Sequence, residues 1–320
     1  MGNTPTGISQ KEVEMSKPER ILAAIQRHKA RVWLGLLAYA CAVTFPHQQV
    51  QDAVAFFTDR YTNERVWKIS VDIALFEGAV FMLLFLIAVY RLNGRIERSL
   101  LIAFWLFTFA LLFGSHRMFM VNNAELVHYP QYFPEGIALL ALTGSPTQSM
   151  IWIVILGGLD EAYQYTFLVT GKAFPYDFND IYMDLVGGAA GIVFGLALFK
   201  CGSRVNARGW ASKLFTSPAV KLLAGIFLAG FALLTAGKMV LYEADSPHHW
   251  FALSRLPIPQ SRYFSPWIFG LHHFHELTPV EGPILILVTI AIFALLDRAL
   301  ELAPARQSGH TLKAEAQSAP

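Results

Sequence analysis

The sequence predicts an all-α fold, a polytopic transmembrane helical bundle of about eight spans with both termini cytoplasmic. Three observations lead there. The 320-residue chain is 54% hydrophobic and only 15% charged. Its apolar residues fall in blocks long enough to cross roughly 30 Å of hydrocarbon at about 1.5 Å per residue. Its Lys and Arg residues alternate between successive connections, as the positive-inside rule requires.

The predicted spans cover 32–46, 71–90, 99–121, 133–145, 149–170, 181–200, 219–241 and 282–298. The fourth is the shortest and ends at Gly144-Ser145-Pro146-Thr147, a turn sequence, so a tilted helix starting near Glu125 and a re-entrant segment are both open there. Charge supports the count. Lys11, Lys17, Arg20, Arg27, Lys29 and Arg31 precede span 1, Arg91, Arg95 and Arg98 follow span 2, Lys200, Arg204, Arg208 and Lys213 follow span 6, and Arg298, Arg306 and Lys313 close the chain. The opposite connections carry only Arg60, Arg65, Lys68, Arg117, Lys172, Arg255 and Arg262.

The chain divides accordingly. Residues 1–30 form a cytoplasmic tail whose stretch from Lys17 is basic and amphipathic, fit to lie on an anionic leaflet. Two helices occupy 31–98, a membrane core 99–200, and a helix pair with an outer His-rich loop 201–302. Residues 303–320 read as a short disordered tail. The first 30 residues lack a cleavable signal pattern, so span 1 itself is expected to direct insertion. The expected location is the inner (plasma) membrane.

A net charge of +2 gives no stripe for nucleic acid. Membrane lipids are the expected partners. The two cysteines, Cys41 and Cys201, have neither metal spacing nor the pattern of a disulfide framework.

Ionisable groups at membrane depth are costly, and here they gather in 125–184. Glu125, His128, Tyr129 and Tyr132 have the spacing of one helical face, although Pro130 interrupts it; the plainer reading is an interfacial aromatic belt. Asp160 and Glu161 are adjacent carboxylates deep in span 5, with Gln164 within hydrogen-bonding reach of either; the alternative is a polar clamp between helices. Asp177, Asp180 and Asp184 stand at i, i+3 and i+7 at the start of span 6, where acids also complement a helix dipole. The following Gly187, Gly191 and Gly195 form a small-residue face for close helix packing. In the outer loop, His272, His273, His275, Glu276 and Glu281 match no zinc signature.

Residues 99–200 resemble the VanZ-like family of integral membrane proteins, named after a teicoplanin-resistance accessory protein. Glu125, His128 and Tyr132 answer to its first motif, Asp160, Glu161 and Gln164 to its second, and Asp180 with Gly187 and Gly191 to its third. Asp184 stands where the family usually has Asn, and the customary basic residue can only be Lys172, displaced by a couple of positions. The resemblance implies a cell-envelope protein linked to antibiotic resistance, but the family has no settled reaction.

Two readings of the cluster stand. In one, an outer-leaflet enzyme acts on a lipid-linked envelope component, with His128, Asp160 or Glu161 as acid or base and Glu125, Tyr132, Gln164, Asp180 and Asp184 holding substrate. Glu125, Asp180 and Asp184 also have the oxygen ligands that a divalent cation such as Mg²⁺ prefers. In the other, a non-catalytic scaffold or binding protein holds a lipid headgroup or a glycopeptide-type antibiotic. A proton-coupled transporter is a third class, against which stand the absence of a repeat and of an acid-bearing path to the inner face.

Overall fold

The computed structural model describes residues 16–92, 94–120, 123–169, 175–199, 214–242, 249–255, 265–266 and 273–318. The chain is helical nearly throughout. Its helices are α1 (Lys17–Arg27), α2 (Lys29–Thr44), α3 (His47–Tyr61), α4 (Asn63–Tyr90), α5 (Arg95–Met118), α6 (His128–Thr143), α7 (Pro146–Tyr163), α8 (Phe178–Phe199), α9 (Pro218–Thr235) and α10 (Glu281–Ser318). Two strand pairs join them: β1 (Met239–Val240) runs parallel to β2 (Phe251–Ala252), and β3 (Ser265–Pro266) antiparallel to β4 (His273–Phe274).

Among the described residues, five segments are long and apolar enough to cross a membrane: Glu64–Tyr90, Arg95–Met118, Phe178–Phe199, Pro218–Thr235 and Glu281–Leu302. They differ in what surrounds them. Nearly all of the α8 window is buried, whereas α4 and α9 turn large apolar side chains such as Phe76, Leu228 and Phe231 outward. That inversion is what a bilayer permits, since lipid tails are as apolar as the side chains facing them.

The core is therefore α8 with α5, α6, α7 and α10 packed around it. Helices α6 and α8 lie side by side and parallel. A β-carbon added at Gly187 would come within 2.6 Å of the Tyr129 carbonyl oxygen, one at Gly191 would strike the Phe133 carbonyl, and one at Gly195 would sit 2.9 Å from Leu140 and 3.7 Å from the Ile137 α-carbon. Steps of four on α8 thus meet steps of four on α6, the close approach that the small-residue face predicts. On the other side of this pair, Phe85 stacks on Trp105 at 4.3 Å.

Helix α6 is one arm of a helical hairpin, with α7 as the other. Gly144 closes α6 at φ 69°, in the left-handed region, and Ser145 opens α7, its hydroxyl accepting from the Gln148 amide at 3.3 Å. Buried Asp297 on α10 accepts from the Ser145 hydroxyl at 2.5 Å, the Thr147 hydroxyl at 2.9 Å and the Thr147 amide at 3.4 Å. A carboxylate at a helix N-terminus also meets the positive end of its dipole. Helix α10 continues beyond its apolar segment through Ser318.

Candidate functional site

The site gathers where α6 and α8 begin and α7 ends. A short 3₁₀ turn, Asn123–Val127, carries Glu125 and leads straight into α6, so Glu125 and His128 do not share one continuous α-helical face. Pro130 is harmless in the first turn of α6, where its missing N–H has no intrahelical partner to lose.

His128 is buried between two aspartates of α8. Its Nδ1 lies 2.7 Å from Asp184 Oδ1 and its Nε2 3.4 Å from Asp180 Oδ2. Asp180 and Asp184 are one helical turn apart, which lets both reach a single imidazole. The close contact at Nδ1 fixes the ring, and with it the nitrogen turned toward Asp180.

Helix α7 ends in a π-helical turn, Gln164–Leu168, and the Gln164 side-chain amide donates to Glu161 Oε1 at 2.8 Å. Of the two acids that Gln164 could reach, it serves Glu161. Asp160 is buried beside Thr44 of α2. The segment 249–255 straps this end of the site. Tyr165 donates to the Ala252 carbonyl at 2.6 Å, the Arg255 guanidinium lies 4.0 Å over the Tyr165 ring, and Arg255 donates to the Val169 and Tyr165 carbonyls at 2.9 and 3.3 Å.

These elements enclose a cavity of about 180 Å³. Glu125, His128, Glu161, Gln164 and Asp180 line it. Asp160, Tyr132 and Asp184 lie outside its lining, buried in the helix packing, although Asp184 touches it through His128. Tyr132 is 3% exposed, a core side chain rather than a cavity wall.

Several residues that pattern did not single out also belong here. His47 and Gln51 of α3 line the cavity and approach one another at 2.9 Å. Glu135 is 2% exposed on α6, and its Oε2 has no partner among the described residues. It stands seven residues from His128, on the same helical face, and that spacing was the available signal. Asn179 donates to the carbonyls of Phe119 and His275, each at 2.9 Å, and accepts from the Leu277 amide at 2.8 Å. It ties three segments together beside Asp180.

His275 lies outside the cavity lining. His275 Nε2 is 3.3 Å from Glu281, its ring 6.3 Å from Phe119. His272, Lys172, Arg262 and Cys201 lie outside the described residues. Among the described residues, no three His, Cys, Asp or Glu side chains are placed to hold a metal ion. Of Glu125, Asp180 and Asp184, whose oxygen chemistry suits a divalent cation, Asp184 turns Oδ1 to His128.

Unpartnered buried oxygens mark what the site lacks. Asp160 Oδ1, Asp180 Oδ1 and Asp184 Oδ2 have no hydrogen-bond partner among the described residues. A buried acceptor left in this state is costly, so such groups point to a ligand, a proton or water. No known family model, curated protein or solved structure matches the chain.

Proposed function

We propose that this chain is a VanZ-like protein of the cell envelope, residing in the inner (plasma) membrane, and that its cavity receives the headgroup of an amphiphilic envelope component. A lipid-linked precursor and a glycopeptide-type antibiotic are the two candidates. The observation that carries this reading is the His128 imidazole held by Asp184 and Asp180 at the wall of a polar cavity also lined by Glu125 and Glu161. Anchoring or packing alone does not call for such a group.

The topology belongs to the same proposal. Adding α2, α6 and α7 to the five long apolar segments gives eight spans with both termini inside. Three relations support it: α6 and α8 run parallel, α6 and α7 form a hairpin, and most of the basic residues fall on one side. In that orientation the cavity opens to the outer leaflet.

His128, oriented at Nδ1, is then the acid–base group available to a bound headgroup. The binding reading draws on a specific observation as well: the described cavity lining contains no Ser, Thr, Cys or Lys to act as a nucleophile. Two experiments test the function. Glu161→Gln, His128→Ala and Asp180→Asn variants that insert normally are expected to lose the wild-type envelope or glycopeptide-tolerance phenotype; retention of that phenotype by all three sinks the proposal. Purified protein incubated with extracted envelope lipids and followed by mass spectrometry separates the modes. A mass change abolished by Glu161→Gln indicates chemistry, and co-purification without conversion indicates binding.

A further inference from the structure

The charge balance of the cavity narrows the ligand class, on the premise that the cavity does receive a headgroup. Its described lining contains four carboxyl groups, Glu125, Glu161, Asp177 and Asp180, and no Lys or Arg. The only basic side chains in it are His47 and His128. His128 already faces two aspartates, and desolvation together with the nearby His128 lowers the pKa of His47, which favours its neutral form. The Arg255 guanidinium, which meets the lining residues Tyr165 and Val169, is committed to their two backbone carbonyls and the Tyr165 ring. Asp180, 8% exposed, still has Oδ1 without a partner among the described residues.

We propose that the cavity takes a primary ammonium group carried on the headgroup of an amphiphile. An ammonium presents three donors and no acceptor, and its charge favours the ionised form of the carboxyl groups around it. It needs no convergence of oxygens at the roughly 2.0–2.6 Å that Mg²⁺ or Ca²⁺ demands, and the described side chains do not converge that way. A quaternary ammonium carries charge but no N–H, so it leaves Asp180 and Glu161 with acceptors unmet. Val43, Val50, Leu168 and Val169 give the cavity lining apolar surface for the hydrocarbon part, and exposed aromatic residues follow Val43 and precede Leu168 in the chain. Phe45 and Tyr163 meet at 5.3 Å, Tyr163 and Phe167 at 5.4 Å, and Phe45, Leu159 and Phe167 are all exposed.

The test uses the full chain in nanodiscs of equal parts phosphatidylethanolamine, phosphatidylcholine and phosphatidylglycerol, with native mass spectrometry reading the lipid retained on release. Phosphatidylethanolamine should be retained about tenfold over the other two, the discrimination expected of one charge-assisted hydrogen bond. The ratio should fall toward one in Asp180→Asn and in Glu161→Gln; where either fails to fold, the other and Glu125→Gln supply the reading. Free ethanolamine that displaces the lipid assigns recognition to the ammonium alone, and lipid that resists it assigns recognition to ammonium and chains together; both support the proposal. Equal retention of phosphatidylethanolamine and phosphatidylcholine, or a preference for phosphatidylglycerol, lost in the same variants, overturns the ammonium while leaving the headgroup cavity standing. Retention untouched by every variant, with the envelope phenotype intact, removes both.

Discussion

Asp184 reaches His128 from one turn further along α8 than Asp180 does, and the two contacts are unequal. At 2.7 Å the first fixes the ring; at 3.4 Å the second is long and weak, and Asp180 keeps Oδ1 without a partner among the described residues at the cavity wall. Asp184→Asn should therefore lower stability by about 1.5–3 kcal/mol, the worth of a hydrogen bond to a charged group, as read by denaturant unfolding in micelles. Asp180→Asn should cost less stability and more ligand retention in the same preparation. Asp177 gives a pH signature. Desolvation, with Asp180 and Glu276 nearby, pushes its carboxyl pKa up. An acid raised on folding stabilises the fold while it is protonated, so that contribution is complete below the ordinary value near 3.9 and is lost as pH climbs through the raised one. Asp177→Asn is expected to flatten that decline, which melting temperatures measured across the same pH range would reveal.

Helix α8 works as the element against which the site is assembled. Its glycines admit α6 along one side, and the approach sets His128 at the level of Asp180 and Asp184. A side chain at Gly191 would meet the Phe133 carbonyl, a backbone group unable to move without moving α6. Gly191→Ala should destabilise the protein by about 1–3 kcal/mol, the usual cost of overpacking, and should abolish headgroup retention with it. Gly78 on α4 has nothing within 4 Å of an added β-carbon. There Gly78→Ala should be neutral or stabilising by up to about 1 kcal/mol, since it only reduces backbone freedom. A thermal-shift comparison of the two variants checks the contrast. The π-helical turn after α7 has a comparable positioning role, carrying Gln164 to Glu161 and Tyr165 to the strap at 249–255.

At the scale of the molecule, the bundle inverts the soluble pattern, with polar groups near α8 and apolar side chains on α4 and α9 facing out. Topology is the property to test here. In a chain carrying Cys41→Ala and Cys201→Ser, Val280→Cys should react with an impermeant maleimide on intact spheroplasts, and Glu97→Cys only after permeabilisation; the reverse result refutes the orientation. Composition and block length were enough to determine a helical membrane protein, because hydrocarbon leaves a spanning chain few ways to satisfy its backbone. Spacing was enough to mark 125–184 as the polar region and Gly187, Gly191 and Gly195 as a packing face, because both follow from helical period. The sharing of His128 by two aspartates, the pairing of Glu161 with Gln164, the retreat of Tyr132, Asp160 and Asp184 from the cavity lining, and the arrival of His47 from α3 were decided by tertiary structure. Period along one helix says which residues share a face; only the packing of neighbouring helices says what that face meets.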